Sequence, residues 1–253
     1  MTVETPEAQA IIRGQKVSQM EALYTDVLRV KSLLEKKEIK TGLSTQAELQ
    51  YFQCTGSALN SRIVITAAHC VVQTALEMTV EVSAGPQGPA HTSKVIRSVM
   101  FPLYNPQASV SLQDLAILFL EKPLPEYVST FPIPSEDLLE KVTSILAAGY
   151  GKTDETSGQS ADGLYRKDLP VRNYQSKQMF FIAQQTEGGT CNGDSGGPAL
   201  IDIQGKRFIV GVLSSSLFPT GSVLQCQNEA LYVNLPFFAR WIRTQSEAFL
   251  KGE

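Results

Sequence analysis

The sequence reads as an all-β sandwich or barrel that ends in a helix. Three observations support this: short β-branched and aromatic runs recur, 18 Gly and 13 Pro punctuate the chain, and a helical apolar stripe follows Pro236. In chain order the strand candidates are Arg62–Thr66, Met78–Ser83, Lys94–Met100, Leu115–Leu120, Val142–Ala147, Met179–Ala183, Pro198–Ile203, Phe208–Ser214 and Leu231–Asn234. Pro123, Pro125, Pro132 and Pro134 cannot sit in central strands, so that stretch predicts a crossing between two halves. Pro236 suits a first helical turn; Phe238, Trp241, Ile242 and Phe249 share a face, and Gly252 stops the helix. Met20, Leu23, Tyr24, Val27, Leu28 and Leu34 also fit a helical stripe, so Met20–Leu34 is ambiguous and periodicity alone reads it as helix. Ala84–His91 and Thr153–Gly163 are too polar and Gly-rich to be more than loops.

The 253 residues, 43% apolar and 19% charged, suffice to bury a large core. Against 25 Asp and Glu stand 22 Lys and Arg, giving a net charge of −3, which removes the electrostatic reason to expect a nucleic-acid or anionic-membrane partner. No apolar run is long enough for a membrane span. The first ten residues are not a complete signal peptide, although Ala8-Gln9-Ala10 looks like the end of one or of a pro-segment. The 4 Cys form no C-x-x-C pair, which argues against structural zinc and for two disulfides in an oxidising compartment.

The chemistry concentrates in Cys191-Asn192-Gly193-Asp194-Ser195-Gly196-Gly197-Pro198. A hydroxyl nucleophile must reach a carbonyl carbon while backbone N–H groups meet the developing oxyanion, and glycines permit that approach. Such a hydroxyl needs a base with a pKa near neutrality. His69 closes the β-branched run Arg62–Thr66 at a strand end, whereas His91 follows a Gly/Pro loop and reads as a solvated surface residue. Asp114 opens the apolar strand Asp114-Leu115-Ala116-Ile117-Leu118; alone it is an ordinary strand-entry residue, but a buried carboxylate would stabilise an imidazolium at His69.

TAAHC, DLAIL and GDSGGP, in that order, resemble the trypsin/chymotrypsin-like serine endopeptidases, as do Ala148–Thr153, Gly211–Ser214, Leu231–Val233 and Trp241–Ile242. The resemblance implies two antiparallel six-stranded β-barrels packed together with a C-terminal α-helix. Residues 1–10 would be a pro-segment or signal remnant, 11–122 the barrel with His69 and Asp114, 123–141 a linker, 142–235 the barrel with Ser195, and 236–253 the helix. It also reassigns Met20–Leu34 as strand and loop. It implies disulfides Cys54–Cys70 and Cys191–Cys226, each adding about 3–4 kcal/mol by loop-closure entropy. By the same resemblance Ser195 is the nucleophile, His69 the general base, Asp114 its orienter, and the N–H groups of Gly193 and Ser195 the oxyanion hole.

The pocket residues carried over are Gly189, Thr190, Asn192, Ser214, Ser216 and Ala230. Gly189 supplies no carboxylate for Lys or Arg, while Ser216 and Ala230 narrow the walls, so small or medium uncharged side chains are expected before the cut. Leu213 stands where relatives that cut after Glu place a histidine, and Ser215 replaces the usual Trp. Ile11-Ile12-Arg13-Gly14 resembles the mature start; cutting after Ala10 would free Ile11 to pair with Asp194, making the Met1 form an inactive precursor. Expected partners are protein or peptide substrates and a protein inhibitor, with no cofactor or metal, in a monomer that is secreted or periplasmic. A catalytically silent binding protein on the same scaffold is the competing reading. A metallohydrolase lacks an H-E-x-x-H motif, and Glu77 with Glu81 cannot make a six-oxygen calcium site.

Overall fold

The computed structural model describes residues 11–252, except 24, 42–43, 84–86, 109–111, 155–160, 177–179, 185–187, 218–225 and 227–228. The first half forms a closed barrel of β2 (Val27–Thr41), β3 (Ser44–Asn60), β4 (Ile63–Thr66), β5 (Glu77–Val82), β6 (His91–Met100) and β7 (Ala116–Leu120), paired in the order β2-β3-β4-β7-β6-β5. All pairings are antiparallel, and β2 closes the ring on β5 through Arg29↔Glu81 to Leu33↔Glu77. β4 and β7 are buried along their whole length, as their unbroken apolar sequences IVIT and AILFL require.

The second half is a seven-stranded sheet. Its strands are β1 (Gln15–Lys16), β8 (Ser144–Gly149), β9 (Tyr165–Ser176), β10 (Phe180–Gln184), β11 (Pro198–Ile203), β12 (Lys206–Leu217) and β13 (Glu229–Asn234), in the order β1-β9-β10-β13-β12-β11-β8. A further β8–β9 pairing, from Ser144↔Pro170 to Gly149↔Tyr165, joins the ends so that six strands make a second ring with β1 appended. The expected all-β architecture of two packed antiparallel barrels is thus present, and β3, β9 and β1 are strands the sequence pattern did not reveal.

The strand-and-loop expectation for Met20–Leu34 holds from Val27 onward and is corrected only before it. Gln19–Leu23 is a short helix, α1, and β2 begins at Val27. Ser18 caps it, its Oγ accepting from Glu21 N at 3.2 Å while Ser18 N donates back to Glu21 Oε2, a reciprocal capping box that needs no long apolar stripe.

The C-terminal helix α2 (Leu235–Leu250) takes Pro236 in its first turn and ends at Lys251, followed by Gly252 at φ +80°. It follows the second barrel and packs on β12 there, but it also reaches across to the first. Phe238 and Trp241 meet Phe101 edge to face, with centroids 4.9 and 5.2 Å apart, and Phe249 stacks on Phe119 at 4.3 Å.

Candidate active site

His69 sits in a 3₁₀ turn, Ala68–Cys70, that ends β4. Asp114 lies two residues before β7, and β4 and β7 are register neighbours through Thr66↔Ala116, which brings the strand ends near the two residues together. His69 N donates to Asp114 Oδ1 at 2.9 Å, and the imidazole Nδ1 lies 2.6 Å from Oδ2. Ser214 Oγ donates to the same Oδ2 at 2.7 Å. Ser214 occupies a register shift of β12 between Leu213 and Ser215, an irregularity that re-aims a side chain toward the other barrel. The Asp114 carboxyl, 3% exposed, is therefore held by donors from both barrels, while the His69 side chain keeps 30% of its surface open to solvent.

Ser195 lies in the turn before β11. Asp194 N donates to Cys191 O and Gly197 N to Asp194 O, at 2.9 and 2.8 Å, and Gly196 N reaches Leu213 O at 2.7 Å. Gly193 and Gly196 adopt φ +98° and +81°, values that side chains other than glycine rarely tolerate. Ser195 O accepts from Thr55 N at 2.8 Å, which ties the turn to β3. Among the described residues no hydrogen bond joins Ser195 Oγ to His69 Nε2; that nitrogen lies 3.8 Å from Cys70 Sγ.

Three further contributors hold the turn: Thr55 and Gln53 had no motif to announce them, while Gly151 lies in the Ala148–Thr153 stretch. Thr55 Oγ1 donates to Gly193 O at 2.9 Å and accepts from Tyr150 N at 3.2 Å. Gln53 Nε2 donates to Tyr150 O. Gly151 N donates to Asp194 Oδ1 at 2.7 Å, beside Cys191 N on Oδ2 at 2.9 Å. Gly151 admits this contact because a Cβ there would fall 2.5 Å from Asp194 Cγ.

Asp194 is fully buried, and desolvation pushes its carboxyl up to about 7, against the two N–H donors that pull it down. The Tyr232 phenol, also buried, is pushed up by desolvation and by the Asp194 charge. Away from the cleft, Asp26 at the entry to β2 is buried and likewise raised to about 7; its Oδ2 has no hydrogen-bond partner among the described residues.

Both expected disulfides are present, Cys54–Cys70 behind His69 and Cys191–Cys226 behind the Ser195 turn. Cys54, Cys70 and His69 cluster closely, but both sulfurs are consumed in the disulfide and offer no thiolate to a metal. Gly189 O accepts from Ile12 N at 2.8 Å, Thr190 is buried, Asn192 is exposed, and Ser216 pairs with Ala230 across β12 and β13. Ile11 is fully buried at φ +47° among Leu139, Ala183, Leu213 and Tyr232 of the second barrel's core. His91 corrects the expectation of a solvated surface residue: it opens β6 with its Nε2 buried. Residues 155–160, part of the predicted Thr153–Gly163 loop, lie outside the described residues, as do 84–86 of the Ala84–His91 loop.

A family model described as Trypsin matches residues 35–242. Trypsin-3 of Salmo salar is 34% identical over 184 residues, covering 65% of this chain and 75% of that protein. Coagulation factor IX of Cavia porcellus is 27% identical over 183 residues, 64% of this chain and 63% of that protein. A match over most of the length, on a fold of two antiparallel barrels with a histidine–aspartate pair in the first and GDSGGP in the second, leads to one conclusion: this chain belongs to the trypsin family of serine endopeptidases.

Proposed function

We propose that the chain cleaves polypeptides with Ser195 as nucleophile, His69 as general base and Asp114 as the group that orients and stabilises the imidazolium. The observation that carries this reading is the Asp114 carboxylate, which binds His69 at both its backbone N–H and Nδ1 and so leaves Nε2 as the basic nitrogen. Ser195 loses its hydroxyl proton to Nε2 as Oγ attacks the scissile carbonyl. The oxyanion meets the N–H groups of Gly193 and Ser195, and the imidazolium then protonates the leaving amine, giving an acyl-enzyme that water resolves. The Ser195–His69 contact is one that tightens on substrate binding, as catalytic hydrogen bonds commonly do.

Labelling by a fluorophosphonate tests the assignment. The wild-type mature chain should be labelled and Ser195→Ala should not; an unlabelled wild type would favour the silent binding protein.

For specificity, we infer small or medium uncharged residues before the cut. Gly189 offers no anion, and the Ser216↔Ala230 pair puts two side chains on adjacent strands where bare glycines would leave room. Asn192 and Thr190 would flank the entering side chain. A second reading concerns activation. Ile11 is β-branched yet held at φ +47°, a conformation costly for such a residue, and this torsion ceases to exist once the Ala10–Ile11 bond is cut. The freed ammonium would then supply a cation for the buried Asp194 carboxylate, so the Met1 form reads as a precursor. Two disulfides suit an extracellular or periplasmic enzyme.

A further inference from the structure

β2 and β3 form a hairpin that reaches well past the barrel. Their pairing runs from Val27↔Ser57 to Thr41↔Ser44, but β5 accompanies β2 only to Leu33, and β4 joins β3 only from Ser57. Among the described residues, each strand of the outer hairpin therefore has one edge without a partner strand.

The two edges are built differently. In β2 Leu33 faces Tyr51 and Glu35 faces Gln50, so Leu34 is an extra, bulged residue. Glu35, Lys36 and Lys37 follow it, with Lys37 Nζ 3.1 Å from Glu35 Oε2. A bulge followed by lysines is a means by which sheets keep foreign strands off an edge. β3 keeps an unbroken register along the same stretch, and its 17 residues include no Lys, Arg or Pro; Glu48 is its sole charge. Residues 48–52 are all exposed, Leu49 at 41%, Tyr51 at 45% and Phe52 at 37%. One strand is guarded and its neighbour is not.

One hydrogen bond fixes which backbone groups of β3 point outward. Thr55 is in register with Arg29, yet its N–H turns away from β2 and donates to Ser195 O. Outward and inward residues alternate along an antiparallel strand, so Tyr51 and Leu49 share the outward set with Thr55, leaving Gln50 and Glu48 to bond β2.

We propose that the outer edge of β3 pairs antiparallel with the same edge of a second copy of this chain, across a two-fold axis at Gln50. This register sets Leu49 opposite the second copy's Tyr51, and Tyr51 opposite its Leu49, on the face where Lys31 Nζ lies 4.0 Å over the Tyr51 ring. Aromatic–aliphatic pairs of this kind stabilise adjoining strands, and Glu48 then falls opposite Phe52. An axis at Glu48 would set that carboxylate against itself, and an axis at Leu49 would set Tyr51 opposite Ala47. The contact uses the same patch on both copies, and the guarded β2 edges stop growth at two. Gln50 lies roughly 17 Å from Thr55 along β3, so the Ser195 turn keeps its tether. The pairing departs from the monomer expected from the sequence. Its small contact makes the dimer weak, with dissociation in the micromolar range.

The test uses the full chain in a Ser195→Ala background, which prevents self-cleavage. Sedimentation velocity should show monomer passing to dimer between about 1 and 300 μM. Opposed residues that bond outward strands have Cα atoms about 4.5 Å apart, within disulfide reach, so Gln50→Cys should cross-link two copies through residue 50 under mild oxidation. Two Glu48 positions are offset by roughly 14 Å along the strands, so Glu48→Cys, and Lys36→Cys on the guarded strand, should cross-link about tenfold less. Leu49→Lys should weaken self-association about tenfold or more, with the Tm of the dilute monomer unchanged. A chain that stays monomeric at the highest concentration, equal cross-linking through positions 48 and 50, or a dimer undiminished in Leu49→Lys overturns the proposal.

Discussion

Thr55→Val tests how the first barrel holds the Gly193 peptide, the proposed oxyanion donor. Valine copies the shape of threonine, and the bond from Thr55 N to Ser195 O is unaffected, so the substitution removes only the hydroxyl and its two bonds, to Gly193 O and from Tyr150 N. Tyr150 is fully buried, and its stranded N–H costs about 1–3 kcal/mol; the lost bond to Gly193 O adds about 0.5–1.5 kcal/mol. For a domain of this size a total near 2–4 kcal/mol lowers Tm by roughly 4–16 °C. If the hydroxyl also fixes the peptide plane that presents Gly193 N–H, kcat should fall about tenfold with KM nearly unchanged, because the oxyanion exists only after attack. Thr55→Ser should restore most of kcat. The assay is steady-state hydrolysis of an Ala-terminated chromogenic peptide beside thermal melts. Wild-type kcat in Thr55→Val with a lowered Tm would refute the positioning argument and leave a purely structural hydroxyl.

Gly189→Asp should create a site for cations at the base of the pocket, raising kcat/KM for Lys- and Arg-terminated substrates over Ala-terminated ones; an unchanged profile in a cleavage library would remove Gly189 from the pocket. Asp26→Asn concerns pH. Burial places the folded carboxyl near 7 and its unfolded value is near 3.8, so the folded state holds the extra proton, and stability falls as pH rises between those values and then levels. The cost above pH 7 approaches roughly 4 kcal/mol. In a Ser195→Ala background Asp26→Asn should therefore stabilise at pH 8, leave pH 4 unchanged and flatten the interval, as read by urea unfolding; a parallel offset at all pH values would contradict this. Edman sequencing or mass spectrometry of the active form should find Ile11 as its terminus, and full activity from an intact Met1 chain would end the precursor reading.

His69, Asp114 and Ser195 were legible because each lies in a short local motif whose residue types the chemistry demands. The meeting of His69 with Asp114 was not legible, since it depends on Thr66 and Ala116 sharing a register and on an irregularity in β12 that turns Ser214 onto the same carboxyl. Ser44–Asn60 escaped the pattern search because STQAELQ lacks apolar alternation; pairing with β2, not propensity, makes it a strand. The short helix at Gln19 carried a usable signal, the Ser18-x-x-Glu21 box, which the count of apolar positions overlooked. Thr55 left no trace in sequence, because its role exists only where β3 meets the Ser195 turn. His91 departs from expectation for the opposite reason: the neighbouring Gly and Pro suggest solvent, while the residue opens β6 opposite Val82 and is half-buried with its Nε2 enclosed.

A segment synthesised after both barrels lands partly on the first of them. Until Leu235–Leu250 emerges, Phe101 and Phe119 lack their aromatic cover, so the nascent first barrel must wait, partly unsealed, for that helix. A premature stop before Trp241 would thus injure not only β12 beside it but also the barrel made long before it, whose Phe101 would lose the Trp241 edge and whose Phe119 would lose the Phe249 stack.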